Sequence, residues 1–235
     1  MIRTAIAAVL LLAGCREPAG PEPLQDRRPD LALLTSLPVA FAESFSLEPP
    51  NSPLLKALEQ RFAVRPVDGP EQLKAGGVLL AIQPQALTAE RLVALDRWVR
   101  EGGRLVLLAD PSLTWESSRP LGDRFRPPIS YPDTGLLRHW GLTLERETAP
   151  FAETVPQNLG QGISVEAASF GTLVAAKESG CRLSAGGKVA RCRVGKGRVT
   201  VVADADFAMR EAIAGTRPAT LRRFGETDDK AEELI

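Results

Sequence analysis

Residues 78–110 read VLLAIQPQALTAERLVALDRWVREGGRLVLLAD, and this stretch decides the fold. It opens on an unbroken apolar run from Val78 to Ile82, bounded by Gly76-Gly77 and Pro84, the pattern of a strand covered on both faces. Thr88 then stands where a helix N-cap belongs, Glu90 suits the positive end of the helix, and Leu92, Leu95, Trp98 and Val99 recur as one apolar stripe. Gly102 supplies the left-handed residue that stops the helix, and Leu105 to Ala109 forms a second buried strand that ends at Asp110. Strand, helix and strand of these lengths make a βαβ unit, so the two strands should lie parallel in one sheet.

The same logic extends in both directions. Leu31 to Ser36, LALLTS, suits a first buried strand, and Ser52-Pro53 starts a helix with Leu54, Leu55, Leu58 and Phe62 at helical spacing. After Asp110 comes a long irregular segment, residues 111–135, of the kind that acts as a lid or carries function. Asp133 can cap a short helix with Leu136, Leu137 and Trp140 that ends at Gly141, and Leu142 to Leu144 reads as an edge strand. From Ile163 the strands become shorter and alternating. The run Val199 to Ala203 returns to the main sheet, and it belongs to a phrase, GKGRVTVVAD at 195–204, that echoes GGRLVLLAD at 102–110. From Asp206 a short helix is expected, and the remaining tail is charged and poorly periodic. The fold class expected is α/β, a three-layer sandwich with a largely parallel sheet plus an antiparallel, disulfide-stapled hairpin.

With 235 residues and 44% of them hydrophobic, the chain can bury a sizeable core. Its net charge is zero and its basic residues are scattered, so no nucleic-acid partner is expected. The N-terminus, MIRTAIAAVLLLAGC, has one basic residue, a short apolar run and a small residue before Cys15, which reads as a secretory signal; the run is about half the length that spans a bilayer. Its last four residues, Leu12-Ala13-Gly14-Cys15, resemble the lipobox of bacterial lipoproteins. That resemblance implies cleavage before Cys15 and acylation of its thiol, and acyl chains at about 0.8 kcal/mol per buried methylene would hold the protein on a membrane. Arg16 in place of aspartate permits the outer membrane by analogy with enterobacterial lipoproteins.

Removing Cys15 from the count leaves Cys181 and Cys192 in an oxidising compartment. If Gly186-Gly187 makes a two-residue hairpin turn, Cys181 lies directly opposite Cys192, within reach of a disulfide. The same register sends Arg182, Arg191 and Arg193 to the other face, where a solvated surface is expected.

Candidate chemistry centres on Asp110, Asp204 and Asp206, at the strand ends where open α/β sheets take ligands. An aspartate just after a strand also caps the following turn, and that reading stands first for each of them. Asp110-Pro111-Ser112-Leu113-Thr114 has the D-x-S-x-T spacing of the metal-ion adhesion site of von Willebrand A domains, although there it follows the first strand and here about the third. Asp204-Ala205-Asp206 resembles the acidic pair of haloacid-dehalogenase phosphatases, which stands near the start of those domains. His139, the only histidine, sits in a helical context with no nucleophile assigned to it; the chain has no G-x-S-x-G elbow and no phosphate-binding G-x-x-x-x-G-K-[ST] loop. No catalytic residue, cofactor or metal is assigned.

The segments LALLTSLP, LVALDRWVREGGRLVLLADP, RPLGDRFRPP and DTGLLRHWGLTLE, with the later GKGRVTVVADADF, resemble the auxiliary domain of ABC-type transport systems of the gliding-motility, GldG-like kind. The resemblance covers residues 31–212 and implies a fold of the class I glutamine amidotransferase-like and flavodoxin-like group. It supplies no catalytic residues. The expected organisation is a signal peptide at 1–14, a proline-rich tether at 15–30, the α/β domain at 31–212 and a loosely ordered tail at 213–235. The expected function is non-enzymatic: an extracytoplasmic, lipid-anchored envelope protein acting as a binding or accessory subunit, with protein partners in an ABC-type transport or surface-assembly system. A metal-dependent hydrolase using the sheet-edge aspartates and a purely structural lipoprotein are the alternatives.

Overall fold

The computed structural model describes residues 28–43, 52–146, 155–160, 163–167 and 169–209. Cys15, the signal and tether residues before Arg28, the tail at 213–235 and the part of the expected last helix that follows Met209 lie outside them.

β1 (Asp30–Thr35) leads to α1 (Pro53–Glu59), whose first turn is closed by the Ser52 hydroxyl accepting from Leu55 N at 3.1 Å, with Pro53 at the position where a missing N–H costs nothing. Leu54 and Leu58 are the buried residues of its apolar face. β2 (Ala63–Pro66) follows, then a 3₁₀ turn (Pro70–Gln72), β3 (Val78–Ile82), α2 (Ala89–Arg100) and β4 (Arg104–Leu108). Thr88 caps α2 by accepting from Arg91 N, and Leu95, Trp98 and Val99 are its buried stripe. At its other end Gly102 N bonds Val99 O at 2.9 Å and Gly103 N bonds Trp98 O at 3.0 Å, the paired Schellman closure made possible by Gly102 at φ +119°.

The second half contains α3 (Leu136–His139), β5 (Leu142–Glu145), β6 (Val155–Gly160), β7 (Ile163–Ala167), β8 (Thr172–Ala175), β9 (Cys181–Ser184), β10 (Val189–Val194), β11 (Gly197–Val202) and a closing 3₁₀ turn (Asp206–Met209). Asp133 caps α3 as its spacing suggests, its Oδ1 accepting from Gly135 N and Leu137 N, both at 3.1 Å.

The main sheet has the order β2-β1-β3-β4-β11-β10-β9. β2, β1, β3, β4 and β11 are mutually parallel, in the 2-1-3-4-5 order of flavodoxin-like folds, while β10 and β9 extend the sheet antiparallel. Both faces of the central strands are covered. Leu79, Ala81, Leu105 and Leu107 are buried on the face that carries α2, and Leu80, Ile82, Val106 and Leu108 on the other. A leucine buried at such a position contributes roughly 1.5–3 kcal/mol, so these residues supply a large share of the driving force for the sheet.

Three features differ from the sequence expectation. β2 and β6 carry no strong strand signal, being short and proline-containing. Leu142 to Leu144 is an edge strand as read, but outside the main sheet: β5 pairs with β8 in a separate two-stranded ribbon, and β6 pairs with β7 in another. The hairpin keeps the expected register, with Arg191 opposite Arg182 and Cys192 opposite Cys181, and the two cysteines are disulfide-bonded. Its turn is wider than two residues, however. The ladder ends at Ser184 and Val189, and Ala185, Gly186 and Gly187 all take positive φ in a 3₁₀ turn. The tip is held against the β8 backbone, since a Cβ on Gly187 would stand 3.1 Å from Leu173 O. Arg182 and Arg193 are exposed as expected, while Arg191 is half-buried and donates to Ser184 Oγ at 3.1 Å.

Candidate functional site

The two echoing phrases are spatial neighbours, paired residue for residue. Parallel register sets Arg198 beside Arg104, Val199 beside Leu105 and onward to Val202 beside Leu108. The ladder continues through Ala109 N bonding Val202 O at 2.9 Å, so the residues that end the phrases, Asp110 and Asp204, emerge side by side at the C-terminal edge of the sheet. Asp206, on the closing 3₁₀ turn, reaches the same place. One carboxylate oxygen from each of Asp110, Asp204 and Asp206 lies within 4.8 Å of the others.

Each aspartate also accepts hydrogen bonds from backbone amides, Asp110 and Asp204 from the turn that follows them and Asp206 from a distant segment. Asp110 Oδ1 accepts from Ser112 N at 2.7 Å and its Oδ2 from Ala205 N at 3.2 Å, stitching the end of β4 to the chain beyond β11. Asp204 Oδ1 accepts from Phe207 N at 3.3 Å. Asp206 accepts from Thr114 N, from Trp115 N at 3.1 Å and from the Thr114 hydroxyl at 2.6 Å, holding the start of the long 111–135 segment. The capping reading therefore describes Asp110 and Asp204, while Asp206 bonds the distant Thr114 and Trp115 and not the turn that follows it, and the sequence did not reveal that the three converge.

Their surroundings are dry. Asp110 and Asp204 are 0% exposed and Asp206 is 2% exposed. None of the ion pairs among the described residues involves them. Burial, then the negative charge of Asp206, pushes the Asp110 carboxyl up to about 7 against backbone N–H bonds that lower it. Burial, then Asp110 and Asp206, raises Asp204 well above the carboxylate range. Two full charges no more than 4.8 Å apart repel by at least roughly 3 kcal/mol at an effective dielectric near 20, so three carboxylates gathered here call for either protons on some of them or a cation between them. Asp204 Oδ2 is moreover buried with no hydrogen-bond partner.

A side chain that sequence reasoning missed organises the rim. Gln83, at the end of β3, is 0% exposed and sits at φ +41°, left-handed backbone that a non-glycine residue rarely takes. Its Nε2 donates to Asp110 O and to Pro128 O, both at 3.0 Å, and its Oε1 accepts from Asp110 N at 2.9 Å. Ser36 Oγ donates to its carbonyl, so the ends of β1, β3 and β4 and the far side of the long segment meet on this one glutamine. The only trace in the sequence is an amide residue between a buried strand and a proline.

The same edge is overlaid by the chain itself. Leu113 N bonds Ile129 O at 2.8 Å and Tyr131 N bonds Asp110 O at 2.7 Å, folding the long segment back across the strand ends. From the second half, Gly171 N bonds Ala203 O at 2.8 Å and Ser169 Oγ donates to Ser112 O at 3.2 Å. The other sequence candidate, His139, lies away from this edge on α3, largely exposed, 3.2 Å from Arg100 Nη2 and 3.6 Å from Asp96 Oδ1. Among the described residues no helix is long and apolar enough to cross a membrane.

Among solved structures the fold is similar to the mmIFT52 N-terminal domain, with a TM-score of 0.51 and 13% identity over 85% of this chain and 99% of that one. It is also similar to part of a GH42 beta-galactosidase from G. stearothermophilus, with a TM-score of 0.51 and 14% identity over 85% of this chain but only 30% of the galactosidase. At these identities the likeness is one of fold, and neither structure is described as a glutamine amidotransferase. No curated protein matches the sequence. The pattern of one family, described as a domain of unknown function, matches residues 54–215, most of the α/β unit and both strands that bear the aspartates; the chain belongs to this DUF4350 family.

Proposed function

We propose that this protein is a non-enzymatic binding or accessory subunit of the cell envelope, anchored through lipid on Cys15 and working with an ABC-type transport or surface-assembly system. The observation that carries the non-enzymatic reading is the closure of the sheet's C-terminal edge. Where a parallel α/β sheet takes its substrate, this chain lays down residues 111–115, 128–131 and 169–171, and the side chains of Asp110 and Asp206 are engaged in holding the first of them. A carboxylate engaged with backbone amides under such a cover is poorly placed to meet a substrate. The Cys181–Cys192 disulfide supports an oxidising, extracytoplasmic location, where such bonds persist. The DUF4350 fold and the GldG-like phrases support the transport context.

The test takes the full chain in its native host. Palmitate labelling is expected to mark the wild-type protein, and Cys15→Ser to abolish the label and move the protein from the membrane to the soluble fraction. In-cell cross-linking is expected to capture permease or ATPase-associated subunits of an ABC-type system. A chain that carries no lipid, or that hydrolyses a phosphoester and loses this activity with Asp204→Asn, sinks the proposal.

A further inference from the structure

We infer that Asp110, Asp204 and Asp206 hold a divalent cation, calcium by preference, which locks the adjoining ends of β4 and β11 to the 112–115 segment. The three carboxylates are buried and mutually close. A second observation points to a ligand: Asp204 Oδ2 is a fully buried oxygen without a donor, in a cluster where every other carboxylate oxygen has at least one. A hard cation satisfies that oxygen and the surplus negative charge together, and an all-oxygen set suits calcium or magnesium rather than a softer metal.

The burial favours calcium: magnesium dehydrates reluctantly and keeps several waters, whereas calcium accepts an irregular, all-protein set of oxygens such as three carboxylates that are 0–2% exposed. Asp110 Oδ1, Asp110 Oδ2 and Asp204 Oδ1 each accept from one amide, which leaves a second lone pair on each for a metal, and both lone pairs of Asp204 Oδ2 are free. Because Asp206 also holds Thr114 N, Trp115 N and the Thr114 hydroxyl, the ion would act through Asp206 on the root of the long segment. The role is structural and asks for no hydrolysis, so it stands whether or not the transport assignment does.

The full mature chain, stripped with chelator at pH 7.5, is titrated with calcium alone. One equivalent is expected to bind, and 10 mM calcium to raise Tm by roughly 3–10 °C, the effect of an extracellular-grade affinity on a domain of this size. Terbium luminescence sensitised through Trp115, whose amide lies 3.1 Å from Asp206 Oδ1, is expected to saturate at one ion per chain and to fall when calcium is added. Asp204→Asn is expected to lose both responses. If that variant does not fold, the stoichiometry of the wild-type titration decides. No calcium shift and no saturable terbium signal in the wild type overturn the site, as does weak, non-stoichiometric binding. A shift given by magnesium but not calcium overturns the choice of ion. An Asp204→Asn protein that is more stable than a calcium-insensitive wild type assigns the charge balance to protons and also overturns the inference.

Discussion

Gly197→Ala is the sharpest test of how the aspartate-bearing strands are set against each other. Gly197 begins β11 beneath the last turn of α2. A Cβ built there meets the Val99 carbonyl carbon at 2.8 Å, with that carbonyl's oxygen and the Gly103 oxygen nearer still. Carbon atoms rest at about 3.5 Å, so the methyl needs at least roughly 0.7 Å of relief from two backbone carbonyls on different elements. Neither yields easily. Val99 O takes part in the Schellman closure of α2, and Gly103 O accepts Arg198 N at 3.2 Å to start the β4–β11 ladder. Backbone cannot change rotamer, so the cost falls at the upper end of overpacking, about 3 kcal/mol, and in a domain of this length that lowers Tm by roughly 6–12 °C. Gly102→Ala is the control: it places a Cβ in open space at φ +119° and carries only a conformational cost of about 1–2 kcal/mol. Urea unfolding followed by tryptophan fluorescence reports both variants. A Gly197→Ala protein within 0.5 kcal/mol of wild type, or no worse than Gly102→Ala, refutes the tight seat of β11 under α2.

Other outcomes follow from the same geometry. In chelator, stability should fall as pH rises. The folded Asp110 carboxyl titrates near 7 against 3.8 for the free group, so the native state retains a proton that the unfolded chain releases. The stabilisation is complete below about pH 4, is lost by about pH 7, and amounts to at most roughly 4 kcal/mol. Asp204, raised for the same cause, adds in the same direction; urea midpoints that rise between pH 5 and pH 8 refute this, and Asp110→Asn should flatten the slope. Replacing Gln83 by alanine strands Asp110 N and Pro128 O, while Asp110 O keeps Tyr131 N, and should cost about 2–4 kcal/mol, read as a Tm loss with faster amide exchange at Asp110; exchange left at the wild-type rate would remove Gln83 as the clamp. Reducing the disulfide, or Cys181→Ser with Cys192→Ser, releases a loop of 11 positions and should lower stability by about 3 kcal/mol, measured by unfolding with and without reductant.

Most of the parallel half of the fold is legible locally. Ser52, Thr88 and Gly102 announce helix ends by hydrogen bonds that span only a few residues, and all three act where the sequence places them. β2 escapes because its four residues, ending in Pro66, gain their strand geometry from β1 alone. β5 reads correctly as a strand but not as to its partner, since pairing with β8 depends on contacts that no local pattern encodes. The candidate site divides the same way. Each aspartate announces a cap, and their convergence depends on β11 choosing β4 as neighbour in a particular register. Gln83 was invisible because its value lies in three backbone groups of distant segments.

The in-register pairing of the repeated phrases also orders events in time. β1 to β4 and their helices assemble from neighbours in the chain, but Asp110 meets Ala205 across 95 positions, so the aspartate cluster cannot exist until β11 has docked beside β4. The carboxylates thus mark the docking of β11: a chain still waiting for that strand would carry them open and solvated, and their disappearance from solvent reports that the sheet is complete on that side.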